Sequence, residues 1–184
     1  MDFFVRLGTS GQHHLELNGS CRNPHWITAL FQGLSDHRIS IVSGHVTLGP
    51  QHEWHGRFHL DCAECRIDVS RIDYSGMTER TTSALLVSEA PLLSTFSVTR
   101  RADQSLELRI DAPDQRGFLG RILARISGLG LFPVSMDIGT VNGRINDRLV
   151  FRGIGGMAPG EPVAKALDTL LNRFTPQQGR AVPA

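Results

Sequence analysis

"SLELRIDAPDQRGFLGRILARISGLG", residues 105–130, changes its period halfway along, and that change decides the fold. Leu106, Leu108 and Ile110 alternate with polar residues, which is the pattern of a half-buried strand. Leu119, Ile122, Leu123 and Ile126 recur at helical spacing. A helix is predicted over 118–129, with Gly128 and Gly130 marking its end. Between strand and helix stands Asp114-x-x-Gly117. The first turn of a helix carries unpaired N–H groups and the positive end of the dipole, so a carboxylate can bind there if nothing blocks its approach. Gly117 supplies that clearance. Asp114 can cap the turn or face an ammonium group, and capping is the competing explanation, since Asp is among the commonest N-cap residues.

Reading downstream, "FPVSMDIGTVNGRINDRLVFRGI" (132–154) is two strands around Asn142-Gly143, a strong hairpin signal. Pairing across that turn sets Met136 against Leu149 and Val134 against Phe151 on one face, and Asp137 against Arg148 on the other. Val163, Ala166, Leu167, Leu170, Leu171 and Phe174 form a second helical stripe, with Pro162 in its first turn. The order is strand, helix, strand, strand, helix. After Phe174, "TPQQGRAVPA" reads as a poor strand. The upstream segment "FSVTR" (96–100) is therefore predicted to pair with "SLELRI" and supply the missing fourth strand.

The same order occurs earlier in the chain, as a repeat reading requires. In "HHLELNGSCRNPHWITALFQGLSDHRISIVSGHVT" (13–47), Ile27, Leu30, Phe31 and Leu34 fall over Leu119, Ile122, Leu123 and Ile126. "FFVRL" precedes this copy as "TFSVT" precedes the other. Asn23 stands as the cap of its helix, and a second helix is expected within residues 64–80, capped by Asp68. The chain thus reads as α+β: two ferredoxin-like units over 1–90 and 91–184, βαββαβ or permuted, with antiparallel sheets and helices on one face.

Of the 184 residues 40% are apolar and the net charge is +1, which excludes a broad electrostatic case for nucleic acid or anionic lipid. One Tyr and two Trp give no base-stacking surface. No apolar run approaches a membrane span and no signal peptide is legible. Three cysteines argue against a disulfide framework. A soluble, cytoplasmic protein is expected.

Asp114-x-x-Gly117-Phe118-Leu119, Ile122, the glycine after the helix and the strand entering its hairpin together resemble an ACT domain. The likeness is to the C-terminal repeats of the uridylyltransferase/uridylyl-removing enzyme and to stand-alone tandem ACT proteins. It covers residues 105–175 well, and the first copy by pattern. The resemblance implies paired domains, often as a homodimer, that bind a small amino acid at their interface and regulate a protein partner without catalysis or cofactor. It places the ligand against the loop between first strand and first helix. The candidate ligand-binding residues are Asp114, Gln115, Arg116, Gly117 and Phe118, with Ser135 and Asp137 from the next strand. In the first copy His25 and Trp26 replace the expected glycine, so one binding-competent half and one structural half are expected.

All eight histidines lie between His13 and His59. By alternation His45, His55 and His59 point to the open sheet face, with His14 and Glu16 beside them. These three are the candidate ligands of an alternative reading, a metal-binding or metal-sensing protein. The competing explanation is a solvated or partner-facing polar sheet. No nucleophile–base spacing, phosphate loop or His-Glu-x-x-His motif occurs, so no enzyme is expected.

Overall fold

A computed structural model describes residues 1–7, 12–80 and 89–176. The first half contains β1 (Asp2–Leu7), β2 (Gln12–Gly19), α1 (Trp26–Asp36), β3 (Ser40–Leu48), β4 (Trp54–Asp61) and α2 (Tyr74–Glu79). The second contains β5 (Thr95–Arg100), β6 (Leu106–Pro113), α3 (Phe118–Ser127), β7 (Phe132–Val141), β8 (Arg144–Arg152) and α4 (Glu161–Asn172). The fold is α+β, and each half runs ββαββα. The upstream strand takes the edge place that a closing strand occupies in the unpermuted ferredoxin-like order. As expected, β5 pairs antiparallel with β6, Val98 opposite Leu108, and β1 pairs with β2 in the same way. The expected boundary near residue 90 adjoins residues 81–88, outside the described residues, as are residues 177–184 after α4.

The two sets of four strands form one eight-stranded sheet, in the order β1-β2-β4-β3-β7-β8-β6-β5. The join is β3 against β7, antiparallel, from Ser43↔Gly139 to Thr47↔Ser135. Its register is symmetric: exchanging the halves carries Gly44↔Ile138 onto Val46↔Met136 and leaves His45↔Asp137 in place. A pseudo-two-fold axis therefore passes between His45 and Asp137, whose side chains meet at 2.6 Å.

Alternation puts Leu15, Leu17, Phe58, Leu60, Leu106, Leu108, Leu149 and Phe151 under the helices, all at most 1% exposed. Burying each such side chain contributes about 1.5–3 kcal/mol. From above, α1 supplies the predicted Ile27, Leu30, Phe31 and Leu34, and α3 supplies Phe118, Ile122, Leu123 and Ile126. The two helices meet closely across the axis, where a Cβ on Gly120 would lie 3.3 Å from the Gln32 backbone nitrogen. In α4, Leu167 and Leu171 are fully buried, while Val163, Leu170 and Phe174 pack at the core's margin.

Gly44 lets the sheet pack over Phe58, because a Cβ there would meet that ring at 2.3 Å and the Arg57 carbonyl at 3.0 Å. Phe58 is wholly buried and cannot swing away. Gly44→Val is expected to cost about 1–3 kcal/mol by overpacking, measured by urea denaturation.

Several local expectations need correction. Asn142 (φ 52°) and Gly143 (φ 71°) form the predicted hairpin turn, both left-handed, and both Met136↔Leu149 and Asp137↔Arg148 occur. Val134 does not oppose Phe151. A bulge between Pro133 and Ser135 sets Pro133 there instead, because one extra residue on β7 shifts the pairing. Gly128 ends α3 in a right-handed conformation, and Gly130 (φ 71°) makes the left-handed turn. Asp68 caps a short 3-10 turn at Val69–Arg71, while the second helix of the first half, α2, is capped by Asp73. Asn23 does not cap α1: its oxygen accepts from the His25 N–H, and its amide donates to the Thr78 carbonyl, tying the loop to α2.

Candidate ligand-binding cleft

The β6–α3 loop is held from three sides. The Asp114 N–H donates to the Gly143 carbonyl at 2.9 Å, anchoring the loop to the hairpin turn. The Gln115 side chain donates to the Leu92 carbonyl at 2.7 Å and accepts from the Leu92 N–H at 3.0 Å, fastening it to the inter-half segment. Arg121 donates to the Arg116 carbonyl at 2.6 Å, and the Arg116 guanidinium bonds Glu64 of the first half. Gly117, at φ 69°, is the N-cap residue of α3, and no side chain caps the first turn. Asp114 is therefore not the cap; its carboxylate is exposed and has no hydrogen bond among the described residues. The left-handed turn at Gly117 aims the chain into the helix without one.

This loop forms one wall of a cleft at the junction of the halves. Asp114, Gln115, Arg116, Gly117 and Phe118 all line it, so five of the seven predicted residues come together. Leu34, Ser35, Ser40 and Ile41 of the first half form the opposite wall. The cavity is small, about 50 Å³. A water needs roughly 10–15 Å³ on such a measure, so the space suits a few waters or a ligand of similar size.

Ser135 and Asp137 do not reach this cleft. They sit on the other side of β7: Asp137 borders the open sheet face, and Ser135 lines a groove at the far end of the junction. The strand's alternation about the buried Met136 turns both away.

A residue passed over in the sequence lies at the cleft's floor. Asp147 of β8 is 1% exposed, on the apolar face between Ile145 and Leu149. One carboxylate oxygen accepts from the Gly139 N–H at 3.1 Å. The other oxygen, Oδ2, is buried without a partner among the described residues. Burial pushes the carboxyl up to about 7, and the Gly139 bond offsets this only in part. The signal was legible: the Met136–Leu149 pairing already puts Asp147 on the helix side, where an acid needs an explanation.

The pseudo-two-fold axis creates a second, related groove lined by Cys21, Asn23, Trp26, Trp54 and Phe132. Gly44↔Phe58 corresponds to Met136↔Leu149, so Gly56 stands where Asp147 stands. His25 is the N-cap residue of α1 where Gly117 caps α3. His25 packs against Phe132 at 5.3 Å, and Trp26 against Trp54 at 5.1 Å. Aromatic packing thus replaces the buried acid and the glycine.

On the open face the histidines separate. His45 bonds Asp137, His55 Nδ1 meets Asn18 Oδ1 at 2.9 Å, and the His59 ring contacts His14 edge-on at 4.4 Å. Among the described residues no three His, Cys, Asp or Glu side chains are grouped to hold a metal ion. The neighbouring charges pair with one another: Arg148 donates to Glu107 at 2.7 Å and to Asp137 at 3.4 Å. The Arg148 hydrogen bond is the chief cause holding the Glu107 carboxyl down at about 2, with Arg109 assisting. A chelator is expected to leave the melting temperature unchanged, in the parent and in a His55→Ala/His59→Ala variant alike. Stoichiometric zinc or nickel in purified protein, lost in that variant, would reverse this.

No family model matches the sequence, and no curated protein matches it. Among solved structures, the crystal structure of aspartate kinase from Synechocystis is similar with a TM-score of 0.49 at 10% identity. That match covers 89% of this chain and 27% of the other, so this chain spans about a quarter of that protein's length. Among the described residues no helix is long and apolar enough to cross a membrane.

Proposed function

We propose that this chain is a non-enzymatic regulatory module, of the ACT type that its sequence resembles, which binds a small amino acid in the cleft between its halves. The observation that carries the reading is the cleft's composition. The glycine-bearing loop of the second half and the α1–β3 corner of the first line one cavity. A ligand there touches both halves, so its binding free energy is coupled to how they are held together, which is what a regulatory site needs. The first turn of α3, without a side-chain cap, offers backbone N–H donors to the ligand's carboxylate. The pairing that such domains require is made within one chain; a cytoplasmic homodimer acting on a protein partner is the assembly that the reading favours.

The test is titration calorimetry with single amino acids, glycine, L-alanine and L-serine first because the cavity is small. A saturable one-to-one isotherm, with a rise in melting temperature that grows with ligand concentration, is the expected outcome. A panel of all the common amino acids giving no heat and no thermal shift would remove the reading.

A further inference from the structure

We propose that Asp147 is the receptor for the ammonium group of the bound ligand, and hence that the occupant is a small α-amino acid rather than a simple carboxylate. This rests on the reading of the cleft as the ligand site.

Asp147 is unsatisfied in either protonation state. Ionised, it is a buried charge with a single N–H donor, from Gly139. Protonated, its hydroxyl at Oδ2 would have no acceptor among the described residues. A buried polar atom left unpaired costs about 1–3 kcal/mol, more when charged. An ammonium group offers three donors and a positive charge, and so answers the ionised form directly. A guanidinium on an aliphatic stem exceeds the few-water cavity. A divalent cation would want several oxygen ligands, and no metal-holding group exists among the described residues.

The groups around the cleft bear this out. The β6–α3 loop contributes Asp114 and Arg116, both exposed at the mouth. The polar residues from α1 and β3 are Ser35 and Ser40, uncharged, and α3 contributes Phe118, Leu119 and Gly120. Arg121 of α3 is turned to the Arg116 carbonyl, so among the described residues nothing cationic reaches the floor from the packed elements. The uncapped helix start on the wall and the carboxylate on the floor have opposite polarity, matching the two ends of a zwitterion. In the related groove, where Gly56 takes this place, that match is missing.

An ammonium needs the ionised carboxylate, whereas burial holds the empty site's carboxyl up to about 7. Binding below that pH expels a proton. Affinity should rise up to tenfold per pH unit towards neutrality and then level.

The experiment is calorimetry of the parent and of Asp147→Asn at about pH 6 and pH 8. The probes are glycine, L-alanine, L-serine, methylammonium chloride and sodium acetate. Repetition in two buffers of different ionisation enthalpy counts released protons. Asn is nearly isosteric, and circular dichroism checks that the variant is folded. The expected result has three parts: an amino acid binds the parent about tenfold tighter at pH 8 than at pH 6, releases a proton at pH 6, and loses at least about fiftyfold in affinity on the substitution. Amino-acid binding that is equal in parent and variant and indifferent to pH would overturn the role of Asp147 while leaving the cleft as the site. Acetate binding as well as the amino acids would also overturn it. Failure of every probe on the parent would overturn both this inference and the reading beneath it.

Discussion

Asp147→Asn should make the empty protein more stable at pH 8, by about 2–4 kcal/mol, although it alters a buried residue. The Asp147 carboxyl loses its proton near 3.8 in the unfolded chain and at about 7 in the folded one. Between those values the folded state keeps a proton that the unfolded state has lost. Stability therefore falls as pH rises through that window and stays level above it. The whole window corresponds to about 4 kcal/mol at most, and water entry or local relaxation reduces it. An amide keeps the shape and can still accept from Gly139, but it never acquires the charge. Urea denaturation of parent and variant from pH 4 to pH 8 is the measurement. The two should be nearly equal at the acid end, diverge towards neutrality, and run parallel above it. A difference independent of pH would mean that Asp147 is not buried as an acid.

The second large effect is expected at Gly117, where backbone and space act together. At φ 69° a side chain costs about 1–2 kcal/mol by steric strain. A Cβ would also lie 2.7 Å from Ser35 Oγ, across the junction of the halves. A leucine adds branches that must enter a cavity of about 50 Å³. Gly117→Leu is expected to abolish amino-acid binding, by more than a hundredfold, and to cost about 2–4 kcal/mol of stability. Gly117→Ala separates the two contributions, since it keeps most of the cavity but takes the backbone strain. Combining it with Ser35→Ala isolates the clash, as the part of the double variant's stability that the single variants do not add up to. Unchanged affinity in a folded Gly117→Leu protein would move the site away from this loop.

How far the sequence alone reaches depends on the range of the forces involved. Strand and helix over residues 105–127 follow from local periodicity, because each side chain's face is set by its neighbours along the chain. The hairpin follows from Asn142-Gly143, whose left-handed angles few residue pairs accept. Even the pairing of β5 with β6 was legible, because a sheet lacking its closing strand needs another partner and one stood upstream. The repeat and the open-face place of His45, His55 and His59 follow from the same alternation.

The remainder needed tertiary structure. Two half-sheets could stack or lie apart, and nothing local says that β3 and β7 join edge to edge with His45 and Asp137 on the axis. The bulge at Val134 is one residue long and invisible to a period of two, yet it moves Pro133 opposite Phe151 at the far end of the hairpin. Asp114 has the composition of a cap, but Gly117 turns the chain left-handed and leaves the carboxylate outside. Asp147 is the sharpest case. Sequence alternation already placed it inward, but an inward acid becomes a feature of a site only when a cavity opens above it. That cavity exists because α1 of one half and the β6–α3 loop of the other are brought together across the junction. Side-chain faces are properties of a strand or helix, and sequence determines them; a cleft between two halves is a property of their packing, and only the folded chain decides it.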